Sequence, residues 1–181
     1  MSLVFNRMPT CRRCEMDTPS IRKVKIMERS RIISVLKTCD LFGSLEREEL
    51  ERISEICGLT KFEPGESIFS QGDTSGCLYV IAEGSVRLER HVDLGQRKGS
   101  VTIDRLGPGR AFGCWPVLLG EDHSLLCSAV CLKTVTLISI EGGPLRAMMA
   151  ADKGLGFRVL ERLCRILRSR MSGVYGALEK L

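Results

Sequence analysis

A chain of 181 residues with 44% hydrophobic side chains is long enough for one domain with a real core and some residues left over. The net charge of +5 is too mild to imply nucleic acid by itself and fits a partner with an acidic face or a phosphate ligand. No apolar run approaches the roughly 20 residues needed to cross a bilayer, and the N-terminus lacks a secretory h-region, so a cytoplasmic protein with no membrane partner is expected.

Residues 1–28 carry basic side chains, Pro9, Pro19 and few large apolar groups, and read as a flexible basic arm. Within it, Cys11-Arg12-Arg13-Cys14 has the spacing of half a zinc site, a redox pair or part of an iron–sulfur ligand set. No second CxxC follows and the two arginines repel a cation, so free thiols are the preferred reading. The other cysteines are Cys39, Cys57, Cys77, Cys114, Cys127, Cys131 and Cys164, making an odd total of 9. Scattered spacing without a signal peptide argues for reduced thiols that pack as small hydrophobes.

A domain is expected over 29–154. From Arg29 the pattern turns helical, with Ile32, Ile33 and Leu36 ahead of a stop at Gly43. Ser44 is the expected N-cap of a second helix, whose inward face is Leu45, Leu50, Ile53 and Ile56. The period then changes. Strands are expected at 59–63, 66–69, 78–82, 85–92, 100–106 and 135–140, divided by Pro64-Gly65, Gln71-Gly72-Asp73 and Glu83-Gly84. Short strands at regular spacing with Gly-rich turns suggest a sandwich or a jelly roll.

Between the last two strands lies LGPGRAFGCWPVLLGEDHSLLCSAVCLKT, from Leu106 to Thr134. Gly107, Gly109 and Gly113 punctuate a turn where the backbone can approach a ligand closely. Trp115 to Leu119 would make one helical turn whose free N–H groups offer an anion site, with Pro116 tolerated in a first turn. The stretch closes on a β-like segment holding Cys127 and Cys131.

A short Met-rich helix over 145–150 precedes a long amphipathic one from Gly156 to Met171, extending toward Leu181. Residues 155–181 read as a capping and dimerisation helix. Leu160, Cys164, Leu167, Met171, Val174 and Leu178 recur at alternating steps of four and three, a coiled-coil seam suited to a second copy. Val159, Leu163 and Ile166 form a neighbouring stripe for the chain's own barrel. Arg158, Arg162, Arg165, Arg168 and Arg170 read as a solvated basic face.

In this order, the motifs LFGSL, FEPGESIFSQGD, LYVIAEGSVRL and LGPGRAFG and the closing helix resemble the cyclic-nucleotide-binding domain of CRP/FNR regulators and protein kinase A regulatory subunits. The resemblance covers roughly Arg31 to Met171. It implies a mostly β fold, a double-stranded β-helix (jelly roll) with flanking helices and a long C-terminal helix. Its ligand would be cyclic AMP or cyclic GMP, held beneath a phosphate-binding cassette. By resemblance that cassette comprises Gly113, Cys114, Trp115, Pro116, Val117, Leu118, Cys127, Ser128 and Ala129.

The cassette departs from the family pattern at both charged positions. In members that bind cyclic nucleotides, FG is followed by a Glu that takes the ribose hydroxyl; here it is followed by Cys114. The family's phosphate-pairing Arg falls at Leu126 or Cys127, and the nearby His123 reads as an exposed loop residue. A buried phosphate needs a cation and N–H donors, so weak or altered nucleotide binding is expected. Trp115, Leu118 and Leu119 would then line an apolar pocket or simply pack in the core. The alternatives are a redox, metal or haem sensor built on Cys114, Cys127 and Cys131, or a ligand-free dimerisation module. FNR-type iron–sulfur sensors carry a fuller N-terminal cysteine cluster than Cys11 and Cys14. No helix-turn-helix follows before Leu181, so output through a protein partner is expected and direct DNA binding is not. His91 and His123 are the only histidines, and no G-x-S-x-G or H-E-x-x-H is present, so catalysis is not expected.

Overall fold

The computed structural model describes residues 22–93, 95, 98–113, 115, 118 and 124–178. Helix α1 (Arg22–Thr38) starts within the stretch read as an arm, ahead of the expected onset at Arg29. Its sequence holds no Gly or Pro, and backbone propensity carries it upstream of its first buried pair, Ile32 and Leu36. Residues 1–21, with Cys11 and Cys14, lie outside the described residues.

Helix α2 (Arg47–Ser54) is capped by Glu46, not by Ser44 as the sequence suggested. The Glu46 backbone N–H donates to Glu49 Oε2 at 2.9 Å. A carboxylate three residues into the helix thus satisfies a backbone donor at its start. Leu45, Leu50 and Ile53 are buried, as their spacing predicted.

Eight strands follow: β1 (Cys57–Phe62), β2 (Ser67–Phe69), β3 (Cys77–Glu83), β4 (Val86–Asp93), β5 (Lys98–Leu106), β6 (Ala111–Gly113), β7 (Ser128–Cys131) and β8 (Val135–Glu141). They form two antiparallel four-stranded sheets, ordered β1-β8-β3-β6 and β2-β7-β4-β5. This is the jelly roll that the motifs implied. Only β6 was absent from the sequence reading, because three residues between glycine turns show no alternation. It exists by pairing with β3, with Phe112 opposite Tyr79. The rings of Phe69, Tyr79 and Phe112 cluster between the two sheets, their centroids 5.5–6.1 Å apart.

The central strand β3 is buried at every position from Cys77 to Ile81, so it is covered on both faces. Helices α3 (Gly142–Ala151) and α4 (Lys153–Leu178) complete the fold. Leu155, Val159, Leu163 and Ile166 of α4 are buried in the same core as the strands. The inward stripe read from the sequence is therefore where it was expected. Among the described residues no helix is long and apolar enough to cross a membrane.

Candidate functional site

The turn into β6 is held from behind by Asp40, in the connection between α1 and α2. The Asp40 N–H donates to Gly109 O at 2.9 Å, and its Oδ1 accepts from the Ala111 N–H at 2.9 Å. Arg110 Nε lies 3.3 Å from the other carboxylate oxygen. Burial raises the Asp40 pKa above its ordinary value, opposed by the Ala111 bond and then by the charges of Arg110 and Arg170. β6 ends at Gly113, whose φ of +112° favours glycine. A Cβ there would come within 2.9 Å of Cys77 O.

Beyond Gly113, Trp115 and Leu118 take 3₁₀ geometry, which agrees with the expected helical turn at these two residues. Leu118 is fully buried and Trp115 half-buried against the core. Cys114, Pro116, Val117, Leu119 and His123 lie outside the described residues. The chain returns to the sheet through Leu125, whose backbone pairs with Asp73 and Gly72. Leu126 follows, 70% exposed, and then half-buried Cys127. The Ser128 hydroxyl is occupied, accepting from Gln71 N at 2.9 Å, and Ala129 is buried inside the barrel.

Over this turn stands a residue that the sequence reading assigned to a solvated face. Arg170 of α4 is only 17% exposed. One guanidinium nitrogen donates to Ala111 O at 2.7 Å, and the group lies 5.5 Å from the centre of the Trp115 ring. Its Nε is 3.8 Å from Asp104 of β5. Burial lowers the Arg170 pKa while Asp104 and Asp40 oppose the shift. The signal was present in the sequence: Arg170 continues the buried stripe Val159, Leu163, Ile166 at helical spacing. Arg158 also departs from the solvated reading, pairing with buried Glu49 of α2. By contrast, Arg165 and Arg168 are exposed.

A second cation was missed as well. In the β4–β7 ladder Leu88 faces Ala129 and Glu89 faces Ser128, where the pairing ends; Arg90 comes next on β4 and Cys127 just precedes β7. Arg90 shares a strand face with the buried Val86 and Leu88 by the two-residue period. Burial raises the Cys127 pKa, while the charges of Arg170 and Arg90 oppose that rise. Burial likewise pushes Cys131 and Cys39 up to about 11 and Cys57 to about 12. Among the described residues no three His, Cys, Asp or Glu side chains are grouped to hold a metal ion.

The expected seam of α4 is half-buried at Leu160 and exposed at Cys164, Leu167 and Met171. Phe157 adds a further exposed apolar side chain on this helix. The side chains of Val174 and Leu178 lie outside the described residues.

The fold is thus a jelly roll with a glycine-flanked turn beneath a long C-terminal helix. The chain belongs to the cyclic nucleotide-binding domain family, whose sequence profile matches residues 59–152, just over half its length. It is 33% identical over 105 residues to the cyclic AMP receptor protein of Thermus thermophilus, covering 58% of this chain and 46% of that protein. The solved structure of the Thermus thermophilus catabolite activator protein is similar at 29% identity, with a TM-score of 0.63 over 77% of this chain and 62% of that one. A cyclic nucleotide-binding domain from Methylobacillus flagellatus shares the fold, with a TM-score of 0.71 at 21% identity over 86% of this chain and 85% of that one. The chain spans between 18% and 58% of the length of the relatives matched by sequence.

Proposed function

We propose that the protein is a cytoplasmic regulatory module, acting by binding and not by catalysis. Its cassette turn takes a small phosphate-bearing ligand of the cyclic nucleotide class with weak or altered affinity, and α4 passes the state of that turn to a second copy and a protein partner. The working parts on this reading are the barrel with its flanking helices α1, α2 and α3, and the long helix α4. One observation carries it: Arg170 of α4 touches both sides of the turn, through Ala111 O and the Trp115 ring. A ligand that displaces Trp115 must disturb α4, which is what a population shift between helix arrangements requires.

The expectation of weak binding by the usual family mode rests on the missing charges. Cys114 supplies no carboxylate. Neither Leu126, exposed to solvent, nor Cys127, held toward its neutral form by burial, can pair with a phosphate. The raised pKa values of Cys39, Cys57 and Cys131 favour inert thiols, which supports a binding module over a redox sensor. Titration calorimetry with cyclic AMP and cyclic GMP tests the proposal. We expect affinities weaker than the micromolar range, and low-micromolar binding of either nucleotide would overturn the altered-pocket reading.

A further inference from the structure

We propose that the cleft between α1 and α2 is a docking site for an acidic amphipathic helix of a partner protein. The proposal deepens the reading above, in which output passes to a protein partner, and rests on it. It gives that partner a surface and a chemistry.

The two helices run antiparallel and are tied at both ends. At one end Arg29 of α1 donates to the Ser54 hydroxyl at 3.0 Å, to Glu51 O at 3.1 Å and to Glu55 Oε1 at 2.6 Å. At the other end Lys37 Nζ donates to Leu45 O, just ahead of α2, at 3.1 Å. Between these ties lies a cleft of about 400 Å³. Its walls are fixed before any partner arrives, so binding orders little that was free. Buried Leu50 and half-buried Ile33 line it, with exposed Ser30 and Ser34 from α1.

Shape and charge choose the occupant. From Ser30 to Lys37 the α1 wall runs about 10 Å, two helical turns. An amphipathic helix lays apolar side chains, three and four residues apart, into a trough of this kind. The two serines are short enough to let its backbone come close. Two cations line the cleft, Lys37 and Arg47, and no carboxylate does. Exposed Glu46 and Glu48 stand outside the lining. Lys37 has further N–H groups beyond the one on Leu45 O. Arg47 pairs with Glu51 through Nε at 2.9 Å, which leaves its terminal N–H groups for a second acceptor. Two positive charges are too few to hold a nucleic acid, where several phosphates must be neutralised. They suit carboxylates that flank apolar anchors. The cleft also adjoins the cassette turn: Thr38 lies in its lining, and Asp40, two residues on, holds Gly109 and Ala111.

Two labelled helical peptides with the same leucine spacing test this, one flanked by glutamates and one by lysines, read by fluorescence anisotropy against the full chain. The glutamate peptide is expected to bind wild type, and the lysine peptide to bind about tenfold more weakly or not at all. Ser34→Trp, which fills the cleft, should weaken the glutamate peptide by about tenfold or more, and Lys37→Glu and Arg47→Glu by about fivefold each. Arg168→Glu, an equal change of charge on the exposed face of α4, should leave binding as it is. Melting curves establish which variants are folded. If Lys37→Glu loses its fold with its tie to Leu45, Ser34→Trp and Arg47→Glu decide. Binding that neither of them weakens overturns the cleft and leaves the partner reading standing. An equal loss in Arg168→Glu also overturns it, since net charge alone would then hold the peptide. So do free glutamate binding as tightly as the peptide, wild-type self-association that Ser34→Trp removes, and no peptide binding at about 1 mM. The regulatory reading stands or falls on cyclic AMP instead, and Arg47→Glu should bind that nucleotide as wild type does.

Discussion

Gly113 is held at a φ of +112° with the Cys77 carbonyl 2.9 Å from where a Cβ would sit. Backbone on one side and the Tyr79 ring on the other leave no flexible atom to yield. Gly113→Ala should therefore lower stability by about 1–3 kcal/mol, read from urea unfolding midpoints. Asp40 gives a second residue-level expectation, in pH. Its native pKa is raised by burial above the ordinary 3.8, so the folded state holds this proton more tightly than the unfolded chain. A raised carboxylate costs stability at pH values above its native pKa, and the cost disappears as pH falls below 3.8. Relative to Asp40→Asn, wild type should gain stability as the pH is lowered through that window. Denaturation of both proteins across acidic pH measures the difference, and a difference that ran the other way would contradict the assigned cause. The residues that make this site charged were the least legible in the sequence. Asp40, Asp104 and Arg170 come from the α1–α2 connection, β5 and α4, and only folding brings the guanidinium under the influence of both carboxylates.

At the scale of elements, legibility followed periodicity. The inward stripe of α4 and most strands announced themselves through repeats of 3.6 or 2, whereas β6 could not. It is three residues long and is defined by its partner β3. Ser44 was preferred as a cap because Ser heads the usual ranking, yet Glu46 won because Glu49 stands three residues after it. The outer face of α4 carries its own prediction. Leu160, Cys164, Leu167 and Met171 present an apolar line with Cys164 exposed within it. If a parallel second helix covers this line, the two Cys164 thiols face one another across the seam. Mild oxidation should then give a disulfide-linked dimer that Cys164→Ser abolishes. Met171→Lys should shift the protein toward monomer in analytical ultracentrifugation. A monomer at all concentrations in wild type would refute the seam.

Across the whole molecule, the order of turns and motifs specified the jelly roll well, since each glycine turn fixes where a strand must end. It said much less about the ligand, because the two family positions that carry charge are substituted here. Long-range coupling is testable without knowing the ligand in advance. On saturation with cyclic AMP at high concentration, hydrogen exchange should change in α4 around residues 160–172 as well as in the cassette turn. A change confined to the turn would mean that the helix does not receive the signal.

The pairing of Arg158 with Glu49 bears on how that signal would travel. Glu49 is buried and its other oxygen already accepts from the Glu46 N–H, so this end of α4 is fastened firmly to α2. Arg170 fastens the same helix to the turn twelve residues further on, about 18 Å along its axis. A rod bolted at two points is rigid; with the second bolt drawn it becomes a lever whose fulcrum is the first. Movement of a fraction of an ångström at the turn would be enlarged in proportion to distance from Arg158, and would be greatest beyond Arg170, where the helix runs on to Leu178.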